Sequence, residues 1–142
     1  MTCAARRTAR QLASGGGARV YLYFFTKELD LLKAAGIAKK RPFGVAHASE
    51  LPFVFAIKPA LLSSAERRLS ESFVSYWTSF ATDAVPTAGS AAPEWPAYNA
   101  SADALLVLDD PISVSRGLKS ADCDFWDAFP HSAPQGSLVE ER

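Results

Sequence analysis

The chain has 142 residues, of which 49% are hydrophobic and 21% charged, with 15 basic and 15 acidic side chains and a formal net charge of zero. That length and apolar fraction suit one folded domain and argue against disorder, which wants low hydrophobicity and high net charge. Zero net charge speaks against a protein that wraps nucleic acid, and no apolar run reaches the ~18–20 residues of a membrane span.

Residues 1–19 hold Arg6, Arg7, Arg10 and Arg19 and no acid. With Ala, Ser and Thr around them, they read either as an organelle transit peptide or as a short Ala-rich helix, roughly Ala4–Ala13, stopped by Gly15-Gly16-Gly17. No apolar h-region follows the arginines, so a secretory signal is not indicated. Val20–Phe25 is β-branched and aromatic without polar alternation, the habit of a strand buried on both faces in a parallel α/β sheet. Thr26–Ala35 predicts a short helix ending at Gly36. Lys39-Lys40-Arg41 reads as a solvated loop, too short for a nucleic-acid patch.

The clearest helix is predicted from Ser64 to Thr82. Leu69, Phe73, Tyr76, Trp77 and Phe80 recur at helical spacing, and such a stripe is a core face before it is a cofactor box. Ser63 and Glu66 fit a capping box, each side chain satisfying a free N–H at the helix start. A Pro/Gly/Ala loop follows from Asp83 to Pro96. Ala104–Leu108 predicts a strand ended by Asp109-Asp110-Pro111, and Ile112–Ser115 a further short strand. Ser120–Phe129 predicts a last helix carrying Cys123, Phe125, Trp126 and Phe129. The polar tail, residues 131–142, is expected to fray.

Chemistry-bearing groups are few. His131 lies in the tail and is assigned no role. His47 lies in Gly44-Val45-Ala46-His47-Ala48-Ser49-Glu50. A loop histidine beside small residues, with a carboxylate three positions on, has the make-up of a general base, although the same pattern also describes an ordinary partly buried histidine. There is no G-x-S-x-G elbow, no phosphate-binding glycine loop and no His/Cys/Asp/Glu spacing for a metal, so neither metal nor cofactor is expected. Cys3 and Cys123 are either two free thiols or one bridge closing nearly the whole chain, and on spacing alone two thiols is the first reading. Asn99-Ala100-Ser101 is a glycosylation sequon, a motif short enough to arise by chance.

Several segments occur together in one order. They are Val20–Phe25, the block from Gly44 to Phe55, Leu69-Ser70-Glu71, Tyr76-Trp77-Thr78-Ser79-Phe80-Ala81, Trp95-Pro96-Ala97-Tyr98 and Cys123-Asp124-Phe125-Trp126. This pattern resembles the C-terminal portion of the type-B carboxylesterases, the group that includes the cholinesterases, from about Cys3 to Phe129. The block around His47 is its most specific part.

The resemblance implies an α/β fold: the C-terminal part of an α/β-hydrolase, a few strands with packing helices, incomplete as a domain over residues 1–130. It implies hydrolysis of small-molecule carboxylic esters by a Ser-Glu/Asp-His triad. In that order of the triad along the chain the histidine comes last, so a C-terminal piece carries only His47, and the serine, acid and oxyanion loop lie upstream. Glu50 is then a residue that helps fix the His47 loop and not the triad acid. The family's glycine after the histidine is Ala48 here, which is expected to crowd the loop. Ser49 stands where cholinesterases carry an aromatic ring, so a general carboxylesterase fits better than a choline-type cation–π site. The resemblance also implies a Cys3–Cys123 disulfide, worth about 4–5 kcal/mol in the chain-entropy model, and hence a secreted or secretory-lumen parent. It brings residues 3–19 inside the fold. The rival reading is a non-catalytic adhesion or binding protein on the same scaffold; no nucleic acid partner and no membrane span are expected in either case.

Overall fold

The computed structural model describes residues 2–34, 36, 45–57 and 59–129. The loop expected at Lys39-Lys40-Arg41, the tail 131–142 with His131, and Gly44 lie outside the described residues. Helix α1 spans Thr2–Ser14. Strand β1 is Tyr23–Phe25, and helices α2 and α3 are Asp30–Ala34 and Leu51–Val54. Helix α4 covers Ser64–Asp83, strands β2 and β3 are Ala104–Leu108 and Ser113–Arg116, and helix α5 is Ser120–Asp127.

The three strands form one mixed sheet in the order β1-β2-β3, with β1 parallel to β2 (Tyr23 opposite Leu106) and β3 antiparallel to it (Leu106 opposite Val114). Side chains alternate between two cores, as a pleated strand requires. On one face Phe25, Leu106 and Leu108 pack with Phe53 of α3 and with Leu69, Phe73 and Tyr76 of α4. On the other, Leu22 and Leu105 pack with Ala9 of α1, Tyr98 and Leu118. This helix–sheet–helix layering is the partial α/β arrangement expected.

The expected strand Val20–Phe25 shortens to three residues. Ahead of it Tyr21 makes an isolated bridge to Ala97, and Tyr23 is 36% exposed rather than buried. The helix expected from Thr26 begins only at Asp30, because Thr26 still belongs to the sheet: its N–H donates to Leu108 O and its hydroxyl to Asp109. Helix α4 matches its expected span to within one residue. Its capping box is complete, with Ser63 Oγ accepting from Glu66 N and Ser63 N donating to Glu66 Oε2. The other Glu66 carboxylate oxygen accepts from Asp30 N, so the buried glutamate joins α2 to α4. Phe80 departs from the expected core stripe and is 46% exposed. Helix α5 stops at Asp127, and Phe125, Trp126 and Phe129 meet edge to face or tilted at the surface, leaving Cys123 as the buried side of the helix.

The arginine-rich N-terminus is helical over Thr2–Ser14, as the helix reading expected, and Ala9 packs it into the fold. A disulfide joins Cys3 to Cys123, correcting the two-thiol reading taken from spacing. Beside it Arg6, 2% exposed, donates from Nε and Nη2 to Asp103 Oδ2 at 2.9 and 2.5 Å and from Nη1 to Asp124 at 2.6 Å. Tyr98 Oη donates to the other Asp103 oxygen at 2.8 Å, and Arg7 pairs with Asp127. The Asp103 hydrogen bond, working against burial, holds the Arg6 guanidinium pKa above its ordinary value. Burial pushes the Asp103 carboxyl up, but hydrogen bonds from Arg6 and Tyr98 outweigh it and keep the group below its ordinary value.

Candidate active site

His47 sits in a turn between two anchors. Val45 packs against the α4-side core, and Phe53 is fully buried against Phe25 and Phe73 with ring centroids 5.4 and 6.0 Å away. Ser70 of α4 donates its hydroxyl to Phe53 O at 2.8 Å, pinning α3 to the long helix. The main chain between the anchors folds on itself: Ser49 N donates to Ala46 O, Leu51 N to Ala48 O, and Phe53 N and Val54 N to Glu50 O. Small residues at 46, 48 and 49 permit so tight a path. The turn requires φ of +65° at Ala48, the left-handed region that glycine enters freely and alanine at a cost of about 1–2 kcal/mol. The crowding expected from alanine at this position is therefore a backbone strain.

The His47 side chain is exposed, and its imidazole makes no hydrogen bond or ion pair among the described residues. Glu50 caps α3 through its carbonyl, and its carboxylate neither caps the helix nor pairs with His47. Burial first, and then the Glu50 charge, push the Tyr23 phenol up, so Glu50 faces β1. Among the described residues no cluster of three or more His, Cys, Asp or Glu is arranged to hold a metal, and no helix is long and apolar enough to cross a membrane.

A groove of about 470 Å³ adjoins the turn, lined by Glu50 and chiefly by Tyr23, Leu51, Val54, Phe55, Val74 and Trp77. It runs beside the open edge of β1. Val20 O, Leu22 O and Thr26 N bond on the side of β2 and Tyr98. Strand alternation turns the main-chain groups of Tyr21, Tyr23 and Phe25 the other way, where no described strand pairs with them. Sequence reasoning did not find this groove. Its signal was the apolar run Leu51–Ile57, of which Leu51, Phe55 and Ile57 remain exposed.

The family model described as the carboxylesterase family matches residues 1–126. Acetylcholinesterase of Gallus gallus is 30% identical over 133 residues, covering 91% of this chain and 17% of that protein. Carboxylesterase 5A of Canis lupus familiaris is 35% identical over 139 residues, covering 87% of this chain and 23% of the relative. The medium-chain fatty acyl-CoA hydrolase precursor of Anas platyrhynchos is 34% identical over 109 residues, covering 74% and 19%. The chain thus spans about a fifth of the length of these curated relatives. A match over nearly the whole chain, together with the α/β layering, the Cys3–Cys123 bridge and the His47 turn, leads to one conclusion: this chain belongs to the carboxylesterase family.

Proposed function

We propose that this chain supplies the general-base histidine, His47, of a carboxylic ester hydrolase whose serine nucleophile and triad acid lie outside these 142 residues. The observation that carries the reading is the exposed imidazole, without a partner among the described residues, on a turn flanked by the packed Val45 and Phe53. A general base has to reach a substrate and be oriented by a group that is not yet engaged elsewhere. In the reaction the imidazole takes the serine proton as the hydroxyl attacks the ester carbonyl. The same nitrogen then returns the proton to the departing alkoxide, leaving an acyl-serine that water hydrolyses by the reverse sequence. Glu50 fixes the turn through the α3 start rather than acting as the triad acid. The substrate is a small carboxylic ester without a quaternary ammonium requirement, and no cofactor enters. The parent protein matures in an oxidising secretory compartment, in keeping with the disulfide.

The purified chain is expected to stay unlabelled by a serine-directed fluorophosphonate and to turn over no ester; stoichiometric serine labelling would overturn the assignment. In the protein that includes the serine-bearing part, His47→Ala is expected to lower kcat by about 10²–10⁴-fold. Wild-type turnover by that variant would also end the proposal.

A further inference from the structure

We propose that Asn99 is an acceptor for an N-linked glycan, transferred from a lipid-pyrophosphate-linked oligosaccharide. Asn99 is the only asparagine in the chain, and it stands in an Asn-Ala-Ser motif whose middle residue is not proline. The motif alone is weak; its placement carries the inference. Residues 99–101 are all exposed and lie in a turn between the buried Tyr98 and strand β2. Asn99 Oδ1 accepts from Ser101 Oγ and from Ala102 N, both at 2.7 Å, and Asn99 O accepts from Asp103 N at 2.9 Å. All three of these bonds within the turn use an Asn99 oxygen. The amide nitrogen Nδ2, the atom that carries the sugar, makes no hydrogen bond among the described residues. A substituent there leaves the turn's bonds in place.

The second, independent observation is the Cys3–Cys123 disulfide. It marks folding in an oxidising compartment such as the secretory lumen, where N-linked transfer also takes place. None of the residues lining the groove beside Glu50 comes from the 97–103 segment, so a glycan at Asn99 does not fill that groove. In the transfer the Nδ2–C1 bond forms as the C1–O bond to the lipid pyrophosphate breaks. The pyrophosphate leaves with the bonding pair, and one Nδ2 proton passes to the transferase base. No group is oxidised or reduced.

The test expresses the full 142-residue chain behind a cleavable secretory leader in a eukaryotic host. The residue-99 peptide is read by mass spectrometry from both medium and cell membranes, so an unsecreted chain still reports. Expected are an oligosaccharide adduct on most of that peptide in the wild type and its removal by peptide N-glycosidase. The adduct should be lost in Asn99→Gln and in Ser101→Ala and retained in Ser101→Thr. An unmodified wild-type peptide in both pools, or an adduct that survives Asn99→Gln, overturns the proposal.

Discussion

Replacing Arg6 by Met tests how the N-terminal helix is held. The guanidinium is 2% exposed and makes three charge-assisted hydrogen bonds, two of them to a carboxylate whose side chain is itself largely buried. Methionine fills much of the volume but leaves Asp103 charged in the core. Breaking one partner of a buried pair costs about 3–5 kcal/mol. Asp103 keeps Tyr98 at 2.8 Å and has Arg10 at 3.4 Å to draw closer, so the lower end, about 3 kcal/mol, applies. Asp103→Asn is the matching change on the other side, because asparagine tolerates the φ of +44° found there. The assay is denaturant unfolding of the oxidised chain followed by tryptophan fluorescence. Arg7→Ala, which removes a partly exposed pair with Asp127, should cost under about 1 kcal/mol and serves as the control. The double variant Arg6→Met/Asp103→Asn should be clearly less destabilised than the sum of its parts. If Arg6→Met costs no more than Arg7→Ala, or if the two core changes add, the network does not hold α1 as argued.

Ala48→Gly should stabilise the chain by about 0.5–1 kcal/mol. It relieves the left-handed strain of about 1–2 kcal/mol, and glycine's greater freedom in the unfolded chain takes back about 0.5–1; a lower denaturation midpoint would contradict the strain at this turn. Asp103 and Asp127 both titrate below their ordinary value of 3.8 in the folded chain, so their contribution is present above that value and lost as the pH falls through the folded pKa. Stability should therefore hold down to about pH 4 and fall steeply below it, and Asp103→Asn should shrink that acid limb in pH-dependent melts. Reducing Cys3–Cys123 opens a loop of sequence separation 120 and should lower stability by about 5 kcal/mol in the chain-entropy model, measured with and without reductant. Alkylation of both cysteines in unreduced native protein would contradict the bridge.

What could be read in the sequence follows the range of the forces involved. Helix α4 was legible because its cap and its stripe are local: Ser63 and Glu66 are three residues apart, and Leu69, Phe73 and Tyr76 repeat at helical spacing. Strand β2 was legible because burial on both faces leaves a continuous apolar run. The ends of β1 and α2 were not, because Val20 O accepts from Tyr98 N and Thr26 N donates to Leu108 O, partners more than 70 residues away. The arginines showed only a charge bias, since their partners Asp103, Asp124 and Asp127 lie about a hundred residues on. The residues alone left His47 between a general base and an ordinary histidine, and the cysteines between thiols and a bridge; the family resemblance chose between them.

The two faces of the sheet are fastened by different means, and His47 depends on only one of them. The α1 face is closed by a disulfide, buried ion pairs and a modest core of Ala9, Leu22 and Leu105. The α4 face is closed by aromatic packing, with Phe53 tied to α4 by Ser70. Both anchors of the His47 turn, Val45 and Phe53, belong to this second face. Reduction or acid should therefore loosen α1 and α5 first, while the turn holds as long as the sheet does. Substitution of Phe53 or Ser70 would free the turn with the disulfide intact. Under the proposed general-base role, such a division keeps His47 in position independently of the α1 face.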